Sequence, residues 1–316
     1  ICTVFTDGDW IESKDQSESG IRLVQTGNIG EGRYLEKEAR AKYISEETFY
    51  KLKCTEIFPG DILVSRLPEP VGRACIVPEK TERMITAVDC TICRPNESLI
   101  SKEYLCYFMR SNAYYTRLLG NVTGTTRKRI SRKNLGSVEL QIPTKDEQKI
   151  VVERLDCLVK AIDSRTKELQ LLDELIKARF VELFGDPRSN PFGFEKKMLK
   201  DTCKVITGNT PSRAIAEYYG DYIEWIKTDN IVSGILNPTQ AIESLSEKGM
   251  NVGRTVEKDS ILMACIAGSI ASIGRVCITD RTVAFNQQIN AVVPEQYNIL
   301  FLYVLLQMSK DYLVED

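Results

Sequence analysis

Apolar residues along this chain fall into two kinds of pattern. Short runs such as Asp61–Arg66, Arg73–Val77 and Val283–Val293 are bounded by Gly, Pro and Asn and read as strands. Lys102–Leu119 and Asn298–Leu313 carry longer apolar spacing and read as helices. Residues 144–184 differ from both. There Val151, Leu155, Leu158, Ile162, Leu169, Leu172 and Ile176 alternate four and three apart, with Arg165 and Arg179 standing at seam positions. That is a heptad sustained for about four repeats. Pro143 marks its entry, Thr144 with Glu147 forms a capping-box pattern, and Gly185-Asp186-Pro187 ends it. At 1.5 Å per residue the helix is about 60 Å long. Its apolar stripe needs cover, from a second copy of the chain or from a similar helix packed antiparallel. Ile261–Ile278 is also apolar, but it is short for a membrane span and broken by Gly268, Ser269, Ser272, Gly274 and Arg275. Two buried strands around a Gly-Ser turn fit it better.

The chain repeats itself. Ile21–Ile29 lies over Ile223–Ile231, and Gly32 over Gly234. Cys2–Thr6 pairs with Cys203–Thr207, Asp61–Val64 with Ser260–Met263, and Val71–Ile76 with Ile273–Ile278. Tyr104-Leu105 with Tyr107-Phe108 resembles Phe301-Leu302 with Val304-Leu305. The landmarks keep their order at a spacing of about 200 residues, far beyond a solenoid period, so a whole domain is duplicated. The expected fold is α+β: two similar mixed α/β domains, 1–143 and 186–316, joined by a long coiled-coil helix over 144–185. The second copy stops short, since Tyr312 falls opposite Tyr114 or Tyr115 and no counterpart of 118–185 follows.

Composition narrows the chemistry. A length of 316 residues with 43% hydrophobic and 27% charged residues suits two globular domains. The net charge of −2 means that any nucleic-acid contact rests on local patches. Histidine is absent, which removes Ser-His-Asp and Cys-His catalysis and histidine metal sites. The ten cysteines lack paired spacing and sit mostly in apolar runs, as free thiols of a reducing cytoplasm would. The N-terminal residues lack a signal-peptide pattern.

The order of domain, long helix and domain resembles the specificity subunit of type I restriction-modification enzymes. The resemblance is carried by Ile142-Pro143 with Gln148-Lys149-Ile150-Val151, Phe184-Gly185-Asp186-Pro187, Gly208-Asn209-Thr210-Pro211-Ser212, Ile273-Gly274-Arg275 and Phe285-Asn286-Gln287-Gln288-Ile289-Asn290. The first domain departs from the last motif, with Val88-Asp89-Cys90-Thr91-Ile92 set against Phe285–Ile289. The resemblance implies two target-recognition domains, each reading half of a bipartite DNA site. The helices would act as a ruler and dock methyltransferase subunits, with restriction-translocase subunits joining that core. It implies a cytoplasmic, non-catalytic protein without cofactor or metal, cut short before its second long helix. A rod of about 60 Å spans at most about 18 base pairs.

Gly124–Lys133 is the strongest local signal: Arg127, Lys128, Arg129, Arg132 and Lys133 place five cations within seven residues, interleaved with hydroxyls that include Thr125 and Thr126. Cations and hydroxyls of this kind meet phosphates, although a solvated basic loop would look the same. Arg73 and Arg275 stand at matched positions and could reach DNA or pair with a carboxylate. Thr26 with Asn28 and Thr228 with Asn230 could read adenine, but residues matched in both copies more naturally hold a shared turn. Thr210, Ser212 and Arg213, like Asp7, Asp9 and Trp10, fall in loops that differ between copies, as two half-sites would require. Cys90-Thr91-Ile92-Cys93 is a lone CxxC, better explained by a strand than by zinc. Two other readings remain open: a coiled-coil scaffold with no DNA role, and the recognition part of a fused restriction enzyme.

Overall fold

The computed structural model describes residues 1–67, 70–120, 122–124, 128–266 and 272–310. The chain forms two units, 1–162 and 163–316. In the first, the strands are β1 (Cys2–Asp7), β2 (Ile21–Val24), β3 (Tyr43–Ile44), β4 (Glu56–Ile57), β5 (Ile62–Ser65), β6 (Ala74–Ile76), β7 (Met84–Thr86) and β8 (Cys90–Pro95). The helices are α1 (Glu46–Leu52), α2 (Lys102–Phe108), α3 (Asn112–Leu119) and α4 (Arg132–Gly136). The helix α5 (Lys145–Phe184) is continuous for 40 residues and begins in the first unit and ends in the second. The second unit holds α6 (Leu199–Thr202), β9 (Cys203–Thr207), β10 (Tyr219–Gly220), β11 (Ile223–Ile226), β12 (Ser244–Leu245), α7 (Glu247–Val252), β13 (Thr255–Val256), β14 (Ile261–Ala264), β15 (Val276–Ile278), β16 (Val283–Phe285), β17 (Ile289–Pro294) and α8 (Ile299–Met308).

Topology confirms the duplication. An antiparallel sheet ordered β1-β8-β5-β6 in the first unit matches β9-β17-β14-β15 in the second. A mixed sheet ordered β3-β2-β7-β4 matches β12-β11-β16-β13, with β10 added at its edge. In each mixed sheet the central pair is parallel, β2 with β7 and β11 with β16. One apolar layer lies between the sheets, with Val24, Leu63, Met84 and Ile92 in the first unit and Ile226, Leu262, Phe285 and Ala291 in the second. A second layer packs the antiparallel sheet against helices, through Leu105, Tyr114, Leu118 and Leu135 in one unit and Leu302, Tyr303 and Leu306 in the other. Cys90 and Cys93 point to opposite faces of β8, one into each layer, as strand alternation dictates. Among the described residues no cluster suits a metal and no helix is long and apolar enough to cross a membrane.

Strand register corrects two of the sequence matches. β1 carries a bulge between Cys2 and Val4 that β9 lacks. Beyond it Val4, opposite Arg94, corresponds to Lys204, opposite Val293, and Asp7 to Thr207. Gly8 therefore matches Gly208. Both glycines press on a neighbouring backbone: a Cβ would lie 2.3 Å from the Thr86 carbonyl oxygen in one and 2.1 Å from that of Asn286 in the other. By the same register Thr86–Cys90, rather than Val88–Ile92, matches Phe285–Ile289.

Two runs read as single elements are divided, and Ile261–Ile278 forms two strands as expected, with Gly268 and Ser269 of the expected turn outside the described residues. Lys102–Leu119 is two helices, because the Ser111 hydroxyl accepts the backbone N–H of Tyr114 and starts a new helix there. Val283–Val293 is two strands: Asn286 Oδ1 takes the N–H of Gln288 in a turn that carries the chain from the mixed sheet to the antiparallel one. The run Ile261–Ile278 contains β14 and β15, paired antiparallel. The expected caps of the long helix are present. Thr144 N–H and hydroxyl both reach Glu147 Oε2, at 2.9 and 2.8 Å, and Gly185 ends the helix at φ +77°.

Candidate nucleic-acid interface

Antiparallel order brings the C-terminal ends of β1 and β5 and the N-terminal ends of β6 and β8 to one edge of the first sheet. The basic segment attaches there. Thr123 and Arg129 exchange backbone hydrogen bonds at 2.9 and 2.8 Å, and the N–H of Ile130 donates to the Arg66 carbonyl. Arg129 pairs with Asp89 at 3.1 Å, and Arg132 lies 3.9 Å from Asp7 and 3.3 Å from the Thr6 hydroxyl. Arg66, itself buried, completes the edge by donating to the Val88 carbonyl at 2.6 Å and lying 3.3 Å from Asp7. Lys128, Arg129, Arg132 and Lys133 are all exposed. Thr125, Thr126 and Arg127 lie outside the described residues. Two acids, Asp7 and Asp89, thus aim arginines from a sheet edge into solvent.

Arg73 belongs to the interior. Only 9% exposed, it donates through Nε to the Ile29 carbonyl at 2.6 Å, through Nη2 to that of Thr26 at 2.8 Å and through Nη1 to that of Pro70 at 3.3 Å. Three of its bonds therefore go to loop carbonyls. Arg275, at the matched position, is half-buried. Asn28 and Asn230 hold a shared turn, as expected. Each Oδ1 accepts a backbone N–H at 3.0 Å, from Gln25 and Lys227 respectively, while each Nδ2 donates to a carbonyl.

The matched edge of the second unit carries Thr210, Ser212 and Arg213, all exposed. Their loop is tied down at every step. Gly208 and Asn209 donate backbone N–H groups to Ile289 and Phe285. Asn209 Oδ1 accepts the N–H of Arg254 and its Nδ2 donates to the Val252 carbonyl, both at 2.8 Å. Tyr219 Oη donates to the Pro211 carbonyl at 2.6 Å, and the Thr210 hydroxyl bonds the Gln287 side chain. In the first unit Asp9 occupies the place of Asn209 and its Oδ2 accepts the N–H of Thr55 at 2.8 Å. This latch escaped sequence reading because the β1 bulge displaces the glycine preceding it by one position. Aligning Gly8 on Gly208 would have exposed it.

The long helix is clamped at its start by a residue the heptad pattern does not mark. Gln148, 1% exposed, accepts the N–H of Ser101 at 2.9 Å and donates to the carbonyls of Leu99 and Pro143 at 3.0 and 2.9 Å. About two turns on, the Tyr107 hydroxyl donates to Asp156, and burial first, then that carboxylate, pushes the phenol up to about 12. Of the seam residues, Leu155 is half-buried and Val151 is 38% exposed. Leu158, Ile162, Leu169, Leu172 and Ile176 are all about half exposed or more.

Comparison with known proteins agrees with this geometry. The family described as "Type I restriction modification DNA specificity domain" matches residues 1–174 and 191–315. The specificity subunit of the type I restriction enzyme HindI from Haemophilus influenzae is 22% identical, over 91% of this chain and 77% of the relative. That of MjaIX from Methanocaldococcus jannaschii is 24% identical over 65% of this chain and 50% of the relative. Two solved structures share the fold at a TM-score of 0.50: a type I restriction-modification system chain (15% identity, all of this chain and 79% of that one) and the S subunit from M. genitalium (14% identity, 99% and 76%). With the family covering most of its length and both units, the chain belongs to the DNA-specificity domains of type I restriction-modification systems, non-catalytic components whose work is sequence-specific DNA recognition.

Proposed function

We propose that each unit reads one half of a bipartite duplex site and that α5 sets the gap between the halves. The observation that carries this is one scaffold used twice with different side chains at matched edges. After Asp9 the first unit carries Trp10, Ile11, Glu12 and Ser13 where the second, after Asn209, carries Thr210, Pro211, Ser212 and Arg213, and the first unit adds a basic segment leaning on Asp7 and Asp89. Lys128, Arg129, Arg132 and Lys133 meet phosphates, which position the protein, while the loops read base edges. The length of α5, about 60 Å, bounds the gap at about 18 base pairs. Its exposed seam is the surface for methyltransferase subunits, to which restriction subunits add, and a second copy of the chain could compete for it. Domains 1–143 and 186–316 then act as target-recognition domains around the 144–185 spacer.

The test is the methylation pattern of DNA in a host carrying this chain with its methyltransferase partner. A split motif with a constant gap is expected. A continuous motif, or none, would overturn the reading.

A further inference from the structure

The second unit holds a cluster that the first does not. Arg213 stacks its guanidinium over Tyr219, 4.5 Å from the ring centroid, and over Trp225 at 5.2 Å. Its Nη2 pairs with Glu243 at 2.7 Å. Glu243 is itself held by Lys227, whose ammonium also lies 5.1 Å from the centre of the Trp225 ring. Trp225 is 3% exposed and donates its indole N–H to the Asn209 carbonyl at 3.3 Å, so the platform is part of the same latched loop. The Arg213 side chain nonetheless remains 56% exposed.

Register shows what stands at these places in the first unit. The N–H of Leu23 donates to the Lys42 carbonyl as that of Trp225 does to Glu243, and both pairs lie between equivalent strands. Leu23, Gln25 and Lys42 therefore replace Trp225, Lys227 and Glu243. With no aromatic platform and no acid, the first unit cannot hold an arginine in this way. A difference in chemistry on an identical frame is what separates two readers of different half-sites.

We propose that Arg213 is a base-reading residue of the second unit and that it takes a guanine in the major groove. A guanidinium matches O6 and N7 of guanine with two parallel donors. Stacking on rings and one ion pair fix the plane of the fork beforehand, so less freedom is lost on binding. The ion pair occupies one N–H of Nη2; the other, with its parallel neighbour on Nη1 or Nε, forms a two-donor edge, and among the described residues no further bond withholds it. Glu243 is a positioning residue: hydrogen bonding from Lys227, then from Arg213, keeps its carboxyl below the usual carboxylate range, so it stays ionised to hold the arginine.

This inference rests on the DNA-reading function proposed above, and one experiment separates the two. The full chain, assembled with its methyltransferase partner, is presented with a randomised duplex library and the methylated sequences are read. Wild type is compared with Arg213→Ala, Arg213→Lys and Glu243→Gln. The expected result is that one guanine, in one half-site only, becomes tolerant of other bases in both Arg213 variants. Cognate affinity falls roughly 10- to 100-fold. Glu243→Gln weakens the same position partially and no other. Arg213→Lys keeps the charge, so its salt dependence matches wild type while its guanine discrimination is lost. An unchanged motif, or a uniform loss over all sequences with a shallower salt slope, overturns the inference and makes Arg213 a phosphate contact. A wild-type chain that selects no sequence at all sinks the specificity reading first, and this one with it.

Discussion

The Asp9 carboxylate accepts the backbone N–H of Thr55 at 2.8 Å. In the other unit Asn209 does the same to Arg254 with a neutral amide. Burial raises the Asp9 carboxyl above the usual range, and the Thr55 hydrogen bond only partly offsets this. A carboxylate with a raised folded value favours the folded state below its ordinary value, and that contribution is lost as pH climbs through the raised one. Asp9→Asn keeps the acceptor and removes the charge. It is expected to stabilise the first unit at pH 7 by less than about 1 kcal/mol after solvent screening. The gain should vanish below about pH 4, where Asp9 is protonated in both states. Urea titrations at pH 7 and below pH 4 would check this, and an equal gain at both would contradict it.

Arg73, held by loop carbonyls, and Lys133, exposed and proposed to meet phosphate, give a contrast that can be tested. Arg73→Lys leaves one ammonium for three carbonyls that now share a guanidinium, and should cost about 1–3 kcal/mol. The salt dependence of DNA binding should not change. Lys133→Ala should leave the melting temperature within about a degree while lowering the log–log salt slope by about 0.9. Melting curves and salt titrations on both variants give the answer, and the opposite assignment of effects would refute it.

Removing the Gln148 side chain strands the Ser101 N–H and the Leu99 and Pro143 carbonyls inside the protein. Gln148→Ala should destabilise the first unit by about 2–3 kcal/mol. Faster amide exchange at Ser101, whose hydroxyl caps α2, would be the local signature.

The seam of α5 should behave in the opposite way. Leu169 is 65% exposed and Ile162 is 63% exposed. Leu169→Asp should therefore alter the stability of the isolated chain by no more than about 0.5 kcal/mol. The same change should abolish copurification with the methyltransferase subunit. A large loss of stability in the isolated chain would show that the seam is already in use.

Much of the molecule was readable from the order of its residues. Apolar spacing revealed the 40-residue helix nearly to its ends, because a heptad and its caps are local properties of a few turns. The duplication was also readable, since Ile21–Ile29 and Ile223–Ile231 keep their pattern in strands that occupy the same place in both mixed sheets. Other features depended on which strands became neighbours. A single bulge in β1 shifted the match that aligns Gly8 with Gly208 and hid the Asp9 latch. Spacing left Arg73 either to reach DNA or to pair with a carboxylate; packing sets it among carbonyls, two of them from residues more than forty positions away. Arg213 became distinctive only when the mixed sheet brought Trp225 and Glu243 beside it. The sequence by itself determined the periodicities, the repeat and the family, because these are carried by spacing along one chain. Tertiary structure alone decided which charges face solvent and which are bound, because that depends on groups brought together across strands, where burial sets the cost of every unpaired atom.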